Sequence, residues 1–95
     1  MASQGTRLKE IRLSLKLSQE EFGKALGVSK QYVSNLEADR NVLNNEKLVL
    51  LLVDFNVNLN FLIGGMGQPF IPPKYEDVKD EILKEVEIML KNRGL

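Results

Sequence analysis

Apolar residues recur at helical spacing along nearly the whole chain, and no convincing alternating pattern of strand type is present. An all-α fold is expected. Leu8, Ile11 and Leu15 form one stripe over a first helix from about Thr6 to Leu15, whose other face carries charges. Ser18 followed three residues later by Glu21 is a capping-box signature, in which each side chain satisfies a backbone N–H orphaned at a helix start. The second helix starts there, expected to bury Phe22, Ala25 and Leu26 and to stop at Gly27, where left-handed backbone carries no Cβ penalty. Val28 then plugs the core and Ser29 caps a third helix, with Val33 and Leu36 inward and Lys30, Gln31, Tyr32, Ser34 and Asn35 outward. After a loop through Asp39 to Asn44, "NEKLVLLLVDF" predicts a fourth helix with Leu48, Leu51, Leu52 and Phe55 at core spacing, the buried backbone of the domain. "VNLNFLIGG" predicts a short fifth helix, capped by Asn58, packing Phe61 and Leu62 and ended by Gly64 and Gly65.

All three prolines fall in "MGQPFIPP", which divides the chain into a five-helix domain (residues 1–67), an extended connector (68–73) and a C-terminal segment (74–95). The last segment predicts a sixth helix to about Asn92, with Glu76 and Asp77 in its first turn and Lys91 and Arg93 near its last, charges that complement the helix dipole. On a helical wheel Tyr75, Val78, Ile82, Leu83, Val86, Met89 and Leu90 span an arc of roughly 140°, with Ile88 opposite. Either the chain's own domain or a second subunit must cover that stripe. The arc is wider than a two-stranded coiled-coil seam needs, so the favoured expectation is a homodimer built as a helical bundle or by exchanged helices.

Composition narrows the chemistry. The 95 residues, 43% of them hydrophobic, suffice for one small core without metal or disulfide staples. Cys and His are both absent, which removes thiolate and imidazole metal ligands, cysteine nucleophiles and the usual histidine base. Adjacent carboxylates such as Glu20 with Glu21 or Asp80 with Glu81 do not converge on one substrate and are read as solvated helix faces, so no enzyme, metal or cofactor is expected. There is no apolar run of membrane-spanning length and the first six residues are polar, so a cytoplasmic protein is expected. The chain is neutral overall, yet residues 1–40 carry seven basic side chains against five acidic ones, a surplus of two.

Two short helices joined at a Gly turn let the first fix the second, whose polar face then projects from the domain: a helix-turn-helix. The DNA major groove admits such a helix and displays a distinct hydrogen-bond pattern for every base pair. Lys30 suits guanine acceptors, and Gln31 and Asn35 suit adenine. Over residues 6 to 66 the chain resembles the Cro and lambda-repressor-like family of helix-turn-helix regulators, on "RLKEIR", "LSQEEFGKALGVS", "YVSNLE" and "NVNLNFLIGGMG". The resemblance implies a phosphate contact for Gln19 and base reading for Lys30, Gln31 and Asn35. It also implies flanking contacts for Ser29, Tyr32 and Ser34, and backbone contacts for Arg40 and Asn41. An outward Tyr32 serves equally at DNA or over the edge of the core. Arg12 and Glu37 match a family pair that ties the first helix to the third, a structural role. Gly23 stands where Ala is usual, at a cost to the helix of roughly 1 kcal/mol. Asp39 replaces a usual Gly and puts a negative charge on the side expected to face phosphates.

These readings converge on a sequence-specific DNA-binding transcriptional regulator, a homodimeric repressor of phage or bacterial type acting on a palindromic operator. Two other roles fit the same fold. One is an antitoxin that autoregulates its operon and caps a toxin with its last helix; the other is a protein-interaction adaptor without DNA binding. A protein partner such as a toxin or an antirepressor is compatible with the first two.

Overall fold

The computed structural model describes residues 2–72; the expected sixth helix and its stripe from Tyr75 to Leu90 lie outside the described residues. Five helices follow one another: α1 (Gln4–Ser14), α2 (Gln19–Leu26), α3 (Lys30–Glu37), α4 (Asn45–Phe55) and α5 (Leu59–Gly64). Each opens on a side-chain oxygen that accepts from a backbone N–H two or three residues on: Ser3, Ser18, Ser29, Asn44 and Asn58 in chain order. Such caps each contribute about 1 kcal/mol, which matters for helices of six to eleven residues that are marginal alone.

Every helix gives the core at least one wholly buried apolar side chain. Leu8, Ile11, Phe22, Leu26, Val33, Leu51 and Leu62 are sealed in, joined by Val57 from the turn between α4 and α5. Phe22 and Phe55 meet edge to face with centroids 6.1 Å apart, a geometry worth about 0.5–1.5 kcal/mol beyond area burial, and this pins α2 to α4.

Four expectations are corrected. Helix α1 starts two residues before Thr6, because Ser3 caps it and Gly5, far from breaking it, sits where a Cβ would come within 2.5 Å of the Leu36 carbonyl oxygen. Ala25 is exposed: the inward arc of α2 runs through Phe22, Gly23 and Leu26, and Ala25 lies on the far side of Phe22 from Gly23. Helix α4 is not the buried backbone, since only Leu51 is sealed, while Leu48, Leu52 and Phe55 are half-buried.

The fourth concerns the connector. It is extended, as its prolines require, but it is also tied down. An isolated antiparallel bridge joins Val57 to Phe70, the Asn58 N–H donates to the Pro69 carbonyl at 2.9 Å, and the Ile71 N–H donates to the Asn56 carbonyl at 2.8 Å. Phe70, in the connector, packs against the core.

Candidate nucleic-acid interface

The joint between α2 and α3 is built almost entirely from short polar residues and glycine. Ser18 and Glu21 form a complete capping box: the Glu21 N–H donates to the Ser18 hydroxyl at 3.0 Å and the Ser18 N–H to the Glu21 carboxylate at 2.9 Å. Those bonds, the backbone one foremost, hold the Glu21 carboxyl below its ordinary pKa, with Lys24 adding to the effect. Gly27 closes α2 in the left-handed region at φ 74°, and the Val28 N–H returns to the Gly23 carbonyl at 2.8 Å. Ser29 then opens α3 by accepting from the Tyr32 N–H at 3.0 Å. A Cβ at Gly23 would stand 2.7 Å from the Val28 carbonyl oxygen, so glycine there is what lets the two helices approach this closely.

A buried ion pair fixes that joint to α1. Arg12 Nε donates to Glu37 Oε2 at 2.7 Å and its Nη2 to Oε1 at 3.2 Å, with the two side chains only 9% and 5% exposed. Arg12 Nη1 also donates to the Leu17 carbonyl at 2.9 Å, bracing the turn between α1 and α2. Gln19 joins the same carboxylate, its Nε2 donating to Glu37 Oε1 at 3.1 Å. One N–H and the carbonyl oxygen of the Gln19 amide are left for other partners.

The outward face of α3 follows. Lys30 and Gln31 are exposed; Tyr32, Ser34 and Asn35 are half-buried. At 100° per residue Gln31 and Asn35 stand roughly 160° and 200° from buried Val33, at the centre of the outward face. Gln31 Nε2 donates to Asn35 Oδ1 at 3.2 Å, so the two amides are arranged as a unit with donors and one carbonyl oxygen still free. Tyr32 packs against the core, which favours the core-edge role over stacking at DNA. Ser29 is spoken for as a cap through its oxygen, leaving its hydroxyl proton.

Beyond α3 the chain turns back on itself, the N–H groups of Arg40 and Asn41 both reaching the Asn35 carbonyl, at 2.9 and 3.3 Å. Arg40 is exposed and Asn41 half-buried, beyond the C-terminal end of α3. Asp39 adopts the left-handed region at φ 62°, taking the backbone shape for which Gly is usual. Its carboxylate does not stand free. Oδ1 accepts from the Gly5 N–H at 2.9 Å, in the first turn of α1, where the helix dipole favours negative charge. The Ser3 hydroxyl, the Gly5 N–H and nearby Arg7 hold the Asp39 carboxyl below its ordinary pKa. Arg7 performs the reverse service for α5, donating to the carbonyls of Leu62 at 2.9 Å and Ile63 at 3.0 Å at the helix's C-terminal end. Neither cap was legible in the sequence, because each joins residues more than thirty positions apart.

A polar-faced helix locked onto its predecessor by a glycine turn, within five helices of this order, defines a helix-turn-helix regulator of the Cro and lambda-repressor-like type. The helix-turn-helix family model matches residues 8–62, and the chain belongs to that family. Among solved structures the chain is similar to the P22 c2 repressor protein in complex with the synthetic operator 9T, crystallised in the presence of Tl+. That chain is 29% identical, with a TM-score of 0.63, over 70% of this chain and the whole of the other. Against curated proteins no match was found.

Proposed function

We propose that this regulator is a homodimeric repressor that reads a palindromic operator in double-stranded DNA with α3. The carrying observation is the Gln31–Asn35 pair on the outward face of a helix whose opposite side is sealed into the core and tied to α1 by Arg12 and Glu37. A reading helix must be rigid, since a base-specific contact discriminates only if the side chain cannot follow the wrong base.

In this reading Gln31 pairs with adenine through its free oxygen and remaining N–H. Asn35, its oxygen engaged by Gln31, serves as a donor to a neighbouring base. Lys30 donates to guanine, and Ser34 touches a base edge or a thymine methyl. Gln19, the Ser29 hydroxyl, Arg40 and Asn41 hold phosphates, which sets register without reading sequence. The likeness to a repressor in complex with operator DNA supports the partner class. Two domains held in fixed relation read half-sites about 10 base pairs apart, and an operator overlapping a promoter is repressed by excluding polymerase.

Selection of bound sequences from a randomised DNA pool at near-physiological salt tests this directly. A two-fold symmetric motif is expected. Against the selected site, Gln31→Ala and Asn35→Ala should each lose about 1–3 kcal/mol of preference over unrelated DNA while the helical circular dichroism stays unchanged. Full preference in both variants would remove α3 as the reader.

A further inference from the structure

Helix α4 is apolar at every position from Leu48 to Val53 and again at Phe55, so apolar side chains cover most of its circumference, Lys47 and Asp54 taking the rest. One side is accounted for, with Leu51 sealed in the core and Leu48, Leu50 and Phe55 packed at its margin. Val49 and Val53 stand roughly 160° and 200° round the helix from Leu51. They are 55% and 69% exposed, with half-buried Leu52 beside them. A helix with apolar side chains in most directions calls for cover in most directions, and among the described residues this one has it on one side.

Helical spacing in the sequence predicts a second apolar stripe, over residues 75–90. We propose that the outer face of α4 seats the stripe of residues 74–92 from a second copy of the chain. This rests on the homodimer reading given above and specifies its surface. Where the described chain ends points to the occupant. The bond from Ile71 to Asn56 holds the connector beside the C-terminal end of α4. Ile71 and Pro72 each precede a proline, which disfavours helical backbone at both, and consecutive prolines extend by about 3.1 Å per residue. Ile71 and Pro72 are exposed, so the chain leaves the described domain at its surface, beside that end of α4. Two-fold exchange then covers both α4 faces and both stripes at once.

The chain has no cysteine, so paired cysteines report the contact cleanly. Light scattering on the full-length protein first reads the dimer; a monomer would remove the homodimer reading and this one with it. Size-tagged Val53→Cys chains are then mixed with Ile82→Cys chains and oxidised. A mixed disulfide is expected, at least tenfold more abundant than with Lys84→Cys, on the opposite side of the segment, or with Ile63→Cys replacing Val53→Cys. A dimer that links equally through Lys84→Cys, or preferentially through Ile63→Cys, overturns α4 as the seat and leaves the homodimer standing. Internal closure of Val53→Cys with Ile82→Cys in one chain, without the mixed product, overturns exchange. As an independent measure, Val49→Glu with Val53→Glu should raise the dimer dissociation constant at least tenfold at unchanged helical circular dichroism; an unchanged constant overturns the proposal.

Discussion

At the scale of single residues, the carboxylates of Glu37 and Asp39 at the end of α3 are structural, and their surroundings decide what each contributes. Glu37 accepts from Arg12 twice and from Gln19 once while nearly out of solvent. Removing the carboxylate strands a buried guanidinium, so Glu37→Ala is expected to cost about 3–5 kcal/mol in urea unfolding. A loss under 1 kcal/mol would mean that Arg12 finds water instead. Asp39 differs in kind, as an exposed carboxylate that caps α1. Its folded pKa lies below the ordinary 3.8, so the stability it contributes is fully present above that value and is lost as pH falls through the lower folded one. Asp39→Asn should therefore unfold at lower urea than the parent at pH 7, the gap closing as pH falls through the lowered folded pKa of Asp39, below 3.8. A gap independent of pH would assign the effect to backbone shape at φ 62° and not to charge.

At the scale of elements, what was legible in the sequence was what is local. The caps at Ser18, Ser29 and Asn58 and the turn at Gly27 follow from residues within four positions of one another, and the structure has each of them. What was not legible depends on neighbours distant in the chain. Gly5 and Gly23 resemble helix weaknesses until the carbonyls of Leu36 and Val28 are found against them. The negative charge of Asp39 resembles an obstacle to phosphate until α1 is found to hold it. The inward arc of α2 shifts from Ala25 to Gly23 because α3 crosses there. The family preference for Ala at position 23 makes this testable. Ala gains about 1 kcal/mol of helix propensity but forces α2 from α3, and overpacking of this kind costs about 1–3 kcal/mol. Gly23→Ala is expected to lower the melting temperature, with a net loss of up to about 2 kcal/mol; a rise would mean that the crossing relaxes freely.

At the scale of the whole molecule, the proposed reading face and the segment proposed to complete the dimer fall in different parts of the chain, which allows the two proposals to be separated. The described helices share one core, and the pairing of residues 69–71 with 56–58 seats Phe70 against it, so a cut after Pro72 leaves every described packing contact in place. A cut after Gly67 would remove Phe70 and confuse lost assembly with lost stability. The chain ending at Pro72 is expected to melt as a cooperative unit and to sediment as a monomer. Because it retains Gln31, Asn35, Lys30 and Arg40, it should still prefer the selected half-site, but without a partner it should bind the full operator at least tenfold more weakly. Its salt dependence carries the same information. Each phosphate contact contributes about 0.9 to the slope of log affinity against log salt, so the monomer's slope should be about half that of the full-length protein. An undiminished slope with undiminished affinity would place the dimer contact inside residues 2–72, and would turn the search for it to the exposed apolar side chains of α4 and α5.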